Sequence, residues 1–306
     1  SRGLGDVYKR QDVHGAIIET ESLRAYDPAE NPEQRPQEIL QETIEKILDK
    51  IEESHRPVLS PGNGVRLAGA IREFHELVDV LGVPVVTGMS SVDALESAHP
   101  YFVGRSGGTG TRPGNFALQN SDVLLSIGNR QGFAQTGFQY QDWARESYTI
   151  LNDIDENELK KPNLHVSLPV VGDAGELIRG LLAEAKKRGA DKGHPLFKGE
   201  DWRKQCLLWK EKYPAVTEKH YETLEEGCTN IYAFYGELSK AMKENENLMV
   251  SVGTSRVAGS QAFQVKKGQR FITNPNTASM GFCLPAATGI AVAQPGKAVV
   301  LSLIHI

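Results

Sequence analysis

Between residues 57 and 170, short apolar runs alternate with amphipathic helical patterns, and no other feature of the chain limits the fold so strongly. Strand-like runs stand at 57–60, 83–87, 123–127, 148–152 and 166–170. Before the first, Ile39, Leu40, Ile44, Ile47, Leu48 and Ile51 share one face at helical spacing. After it, Leu67, Ala70, Ile71, Phe74, Leu77, Val78 and Leu81 repeat that pattern, and a further helical stretch covers 174–188. Apolar strands separated by helices predict a mostly parallel sheet covered on both faces, so the fold class is α/β.

The chain divides by composition. Residues 12–27 suit a last strand leaving a domain, and 28–36 hold Pro28, Pro32 and Pro36 in a polar, extended linker. Residues 186–199, rich in Lys, Gly and Pro, mark a second boundary. Beyond it, helices are predicted around Trp202, Cys206 and Trp209 and at 231–242, with a strand at 248–252. A β-like segment at 271–273 then leads through a loop into an Ala-rich helix ending near 293. The two ends, 1–11 and 301–306, read as translated library linker, and the stop after strand-like 298–300 reads as truncation.

The 306 residues are 40% hydrophobic with a formal net charge of −5, which gives no reason to expect nucleic acid or an anionic membrane as partner. Small molecules are the expected ligands. No apolar run reaches a membrane span and no signal peptide opens the chain, so a cytoplasmic protein is expected. The 3 cysteines form no CxxC or Cys/His set, and no metal ligands or Ser-His-Asp arrangement can be read.

Four stretches carry candidate chemistry. Gly62 and Gly64 flank Asn63 between a strand and a helix, where glycines admit phosphate or simply make a tight turn. Residues 104–112 are glycine-rich enough to approach something closely. Asp153 and Asp155, at a strand end, could accept from a ribose or adenine, or form a solvated turn. The 271–293 stretch feeds a helix N-terminus and suits an anionic cofactor.

Within that stretch, Ser279-Met280-Gly281-Phe282-Cys283-Leu284-Pro285-Ala286-Ala287 resembles the S/T-M-G-x-x-L-P-A-A segment of thiamine diphosphate enzymes of the acetolactate synthase group. Asp153-Ile154-Asp155, Glu158 and Lys161-Pro162 resemble that group's D-I-D-x-x-E-x-x-K-P, and 62–66, His99-Pro100, Gly110, Asn120, Asp122 and 127–130 supply further markers. The resemblance implies an N-terminal remnant at 1–36, a parallel-sheet central domain of the DHS-like NAD/FAD-binding type at 37–190, and the first part of a thiamine diphosphate-binding α/β domain at 191–306.

It also implies cofactor contacts from Gly253, Thr254, Ser255, Asn276, Ala278 and Ser279, with Gly62, Gly64 and Asp153 on the nucleotide side. Met280 becomes the apolar wedge beneath the bent cofactor and the catalytic residue, and the Ala278 carbonyl, in place of the family's Gly, accepts from the cofactor amino group. The Mg2+ ligands are expected beyond the C-terminal end and the activating glutamate before the start, so the fragment alone should be inactive. Arg130-Gln131-Gly132-Phe133-Ala134 replaces the R-F-D-D-R of the flavin binders, which argues against FAD without closing the question. A 2-oxo acid substrate, decarboxylation or carboligation, and a homodimer or homotetramer follow. The alternative is a non-catalytic FAD- or ADP-binding α/β module.

Overall fold

The computed structural model describes residues 17, 19–25, 27–30, 37–222 and 227–302, so the expectations for 1–16, 31–36 and 303–306 lie outside the described residues. The chain divides into two units, 1–35 and 36–306. In the first, two short 3-10 turns occupy Thr20–Ser22 and Pro28–Glu30. The second takes up the first three residues of the expected linker, where the Asp27 carboxylate accepts from the Ala29 N–H at 2.9 Å and closes the chain into a turn.

The second unit holds two parallel sheets. Strands β1 (Pro57–Pro61), β2 (Val85–Thr87), β3 (Phe102–Arg105), β4 (Val123–Ile127), β5 (Tyr148–Asp153) and β6 (Leu168–Val171) form one sheet in the order β3-β2-β1-β4-β5-β6. Helices α1 (Gln41–Glu53), α2 (Gly64–Leu67), α3 (Ile71–Leu81), α4 (Arg112–Gln119), α5 (Phe133–Thr136), α6 (Glu156–Leu159) and α7 (Ala174–Lys187) accompany it. Every residue of β1 and β4 is buried, as a sheet covered on both faces requires. The α1 face predicted from spacing packs inward through Ile44, Ile47, Leu48 and Ile51. Helix α7 is started by Asp173, which accepts from the Gly175 and Glu176 N–H groups, and α3 is stopped by Gly82 at φ 66°.

Strand β3 escapes sequence reading, and the glycine-rich 104–112 segment is why. A Cβ on Gly110 or Gly114 would come within 2.4 Å of the Arg105 carbonyl, so the loop that looked poised for a ligand folds onto its own strand. Asn115 pins it, accepting from Gly107 N–H at 2.8 Å and donating to its carbonyl at 3.1 Å.

Helices α8 (Glu200–Lys212), α9 (Ile231–Ala241), α10 (Thr254–Ala262) and α11 (Cys283–Ala293) follow, with strands β7 (Asn247–Val250), β8 (Arg270–Ile272) and β9 (Val299–Ser302) in the order β8-β7-β9. Although α8 lies beyond the expected boundary at 190, its Trp202 and Cys206 enter the core of the six-stranded sheet, and Trp202 Nε1 donates to the Pro57 carbonyl at 3.0 Å. A smaller core under β7 gathers Tyr235, Leu248, Val250, Phe263 and Phe271. The segment 88–100 laces the two together, since Val92 belongs to the small core and Leu95 to the large one. Among the described residues no helix is long and apolar enough to cross a membrane, and no group of three or more His, Cys, Asp or Glu is placed to hold a metal.

Candidate functional site

Parallel strands gather their following loops at one edge, where open α/β sheets bind ligands. In the small sheet, the Ser251 N–H donates to the Ser302 carbonyl at 3.0 Å, and the chain then turns through Gly253 at φ 85° and ψ −145°. Only glycine adopts that conformation readily. It delivers the chain into α10, whose N-terminus has no side-chain cap, leaving its first N–H groups and positive dipole end available to an anion. Gly253 and Thr254 are exposed there, and Ser255 is buried.

On the neighbouring strand, β8 ends beside Thr273, whose Oγ1 is buried without a hydrogen-bond partner. The chain then runs through Ala278 at φ 50°, a left-handed conformation that disfavours any residue with a Cβ. Asn274 Nδ2 donates to Ser279 Oγ at 3.4 Å, and Met280 stands 84% exposed at the mouth of the loop. Arg256, in the first turn of α10, donates from Nη1 to the Pro275 carbonyl at 3.1 Å and so ties the two loops together. Gly253, Thr254, Ser255, Asn276, Ala278, Ser279 and Met280 therefore share one edge of the small sheet. Arg256 and Thr273 belong with them, although neither stands in a motif.

The six-stranded sheet has its own crevice. Successive crossovers leave β1 in opposite directions, and a cavity of about 940 Å3 opens at that reversal, between the loops after β1 and β4. Gly64, Asp153 and Asn276 line it, and it extends to Thr273 and Pro275 of the loop just described. Burial pushes the Asp153 carboxyl up, against the hydrogen bond it accepts from the Asp155 N–H at 3.0 Å.

The glycines of the first loop serve mainly to bring backbones together. Gly62 N–H donates to the Ile127 carbonyl at 2.8 Å and Gly64 N–H to the Gly128 carbonyl at 2.9 Å. A Cβ on Gly62 would lie 2.1 Å from the Gly128 oxygen. Both N–H groups are engaged by protein, and of the two residues only Gly64 faces the cavity. The D-I-D-x-x-E-x-x-K-P run is likewise engaged by the fold. Asp155 accepts from Asn157 N–H to start α6, while Glu158 pairs with Arg130 at 2.7 Å and with Lys161. Gln131 is held at φ 51° with Nε2 donating to Ser126 Oγ at 2.8 Å, so its amide is turned into the sheet.

Asp93 joins the two crevices. Its carboxylate meets Arg66 at 3.2 Å and Arg270 at 2.6 Å and accepts from the Phe271 N–H at 3.2 Å. These partners lie 27 to 178 residues away in sequence, a separation no local motif reports.

Residues 44–181 match the family model for the central domain of thiamine pyrophosphate enzymes, and residues 251–303 match that for their C-terminal TPP binding domain. The chain is 28% identical over 259 residues to a probable acetolactate synthase large subunit of Methanococcus aeolicus, covering 82% of this chain and 42% of that protein. It is 28% identical over 249 residues to an acetolactate synthase of Mycobacterium bovis, covering 81% and 39%. With acetolactate synthase isozyme 3 large subunit of Escherichia coli, identity is 26% over 245 residues, covering 80% and 41%. The chain thus spans about two fifths of the length of these relatives.

Proposed function

The chain belongs to the thiamine pyrophosphate enzymes, and from that premise we propose that it forms part of a 2-oxo acid decarboxylase or carboligase resembling acetolactate synthase. Thiamine diphosphate, when bound, supplies a carbon nucleophile that adds to the keto carbon and takes up the electron pair released with CO2. The chain's own residues bind and orient it.

One observation carries the reading: the uncapped start of α10 and the left-handed Ala278 share the carboxyl edge where the Thr273 hydroxyl is buried without a partner. The arrangement fits the cofactor. The free N–H groups after Gly253, with Thr254 and Ser255, would hold the diphosphate. Asn276 and Ser279 would line its approach. The Ala278 carbonyl, set by the left-handed turn, would accept from the cofactor amino group, and Met280 would pack against the cofactor. These contacts order the cofactor before substrate arrives, which is catalysis by orientation. Mg2+ would accompany the diphosphate, with ligands from outside the described residues. Leu284 and Val292, 63% and 77% exposed on α11, suit burial against a further part of the assembly, in keeping with a homodimer or homotetramer.

The test is CO2 release from pyruvate and 2-oxobutyrate, with thiamine diphosphate and Mg2+, by a protein containing this chain. Met280→Ala is expected to lower turnover by about tenfold or more while shifting the unfolding midpoint little, because an exposed side chain loses little packing. Unchanged turnover rejects the Met280 role, and failure to consume any 2-oxo acid with the cofactor present rejects the activity.

A further inference from the structure

A second cavity, of about 1060 Å3, shares no lining residue with the first. It is enclosed by edge strand β3, the end of α8, the 213–221 segment, α9 and the end of α10, and none of residues 253–280 other than 261, 262, 264 and 266 lines it. Its walls are largely apolar, with Phe102, Tyr213, Val216 and Tyr221 among them. Among the described residues its charges are one-sided: Arg105, Lys210, Lys219, Lys240 and Lys266 face it against Glu218.

Among the described residues Lys240 alone of the five makes an ion pair. Lys240 pairs with Glu237 at 2.7 Å, and Lys266 donates to the Lys240 carbonyl at 3.0 Å. Arg105, only 2% exposed, donates from Nη2 to the Phe263 carbonyl at 3.0 Å and to Ser97 Oγ at 3.4 Å, and its Nε has no partner. Lys210 Nζ donates to the carbonyls of Ser97 and Phe102, both at 2.8 Å. Neither makes an ion pair among the described residues. Asp93, the carboxylate whose field reaches Arg105, is already shared by Arg66 and Arg270.

Arg105, a buried cation without a counter-ion, is unfavourable, and the half-buried Lys210 beside it makes it more so. Burial pushes Lys210 down to about 8, with Arg105 adding to the effect, and burial pushes Arg105 down to about 10. The Phe102 ring, 5.5 Å from the Arg105 guanidinium and 5.1 Å from Lys210 Nζ, relieves part of this through its π face. An anion in the cavity would relieve the rest.

We propose that this cavity binds a small organic carboxylate with an apolar body, its carboxylate on Lys210 in front of the Arg105 charge and its body against Phe102 and Tyr213. The ammonium has three donors and uses two on carbonyls, which leaves one for an incoming oxygen. A single remaining donor suits a carboxylate, whereas a phosphate gathers several. The apolar walls account for the body.

Phenylacetate serves as the probe on the chain as it stands, with phenylacetamide as its neutral counterpart and phenyl phosphate as the alternative anion. Calorimetric titration is expected to show phenylacetate binding about tenfold or more tighter than phenylacetamide, as a charge-assisted hydrogen bond implies. Phenylacetate should also protect Lys210 from acetylation by acetic anhydride, read by mass spectrometry. Lys210→Met should weaken phenylacetate by about tenfold and Lys210→Arg by much less. Equal binding of the amide, no saturable phenylacetate binding, or unprotected Lys210 overturns the proposal. Tighter binding of phenyl phosphate overturns the assignment to a carboxylate. The ligand comparison and the protection measurement use the unmodified chain, so they decide the matter even where Lys210→Met fails to fold.

Discussion

Asp93→Asn keeps the shape of the side chain and removes the charge that Arg66 and Arg270 share. The Asp93 side chain is 5% exposed, and those of Arg66 and Arg270 are 25% and 32% exposed. Breaking a fully buried pair from one side destabilises by about 3–5 kcal/mol. Both arginines retain access to water, which screens the orphaned charges and reduces the expected loss to about 2 kcal/mol. For a chain of this size that corresponds to a fall in Tm of roughly 3 °C. Urea unfolding at fixed pH and salt reads the effect, and a cycle with Arg270→Met isolates the pair. Once Arg270 is gone, Asp93→Asn should cost about 1 kcal/mol less than in the parent. Because Asp93 also accepts from the Phe271 N–H, hydrogen exchange should speed up along β8 and the 273–280 loop. A loss below about 0.5 kcal/mol, or strict additivity in the cycle, would refute the view that this carboxylate fastens β8 to the large sheet.

Gly62→Ala should destabilise by roughly 2–3 kcal/mol in urea titration, because the new Cβ meets backbone that has nowhere to go; an unchanged midpoint would mean the loops after β1 and β4 do not touch. Ala278→Gly should raise stability by roughly 0.5–1 kcal/mol by relieving the left-handed conformation, net of glycine's greater freedom in the unfolded chain. A loss of stability there would show that residue 278 is not left-handed. His99 is held below its ordinary value of 6.5 by burial, against the pull of Asp79 and Glu96. Its neutral form is therefore favoured by folding, and its contribution is present above pH 6.5 and lost as pH falls through the lowered folded value. Unfolding midpoints measured on either side of that window should show His99→Gln flattening the acid limb, and parallel profiles would remove His99 as the cause.

Much of the fold was legible because its signals are local. The faces of α1 and α3 and the mainly apolar β1 and β4 each depend on neighbours within a few residues, and the structure places them where periodicity does. Strand β3 was missed because four residues, one of them glycine, carry too little pattern. The boundary after 190 hid the fact that Trp202 and Cys206 pack backwards onto the first core, since composition marks a linker without saying which side the next helix joins.

The family signature at 279–287 could be read from residue types alone, because Ser279, Met280, Gly281 and the following apolar residues stand at the spacing of the family's segment. The sequence by itself thus determined the α/β class and the family resemblance, and it pointed to the stretch proposed to face the cofactor. Tertiary structure alone decided that the Gly62 and Gly64 amides close one loop against another, that Arg256 and Thr273 join the edge near Met280, and that Asp93 couples the two sheets. It alone set Arg105 and Lys210, neither in an ion pair among the described residues, beside a largely apolar cavity. The physical reason is common to all four: hydrogen bonds, desolvation and charge pairing depend on distance in space, and these partners are far apart along the chain.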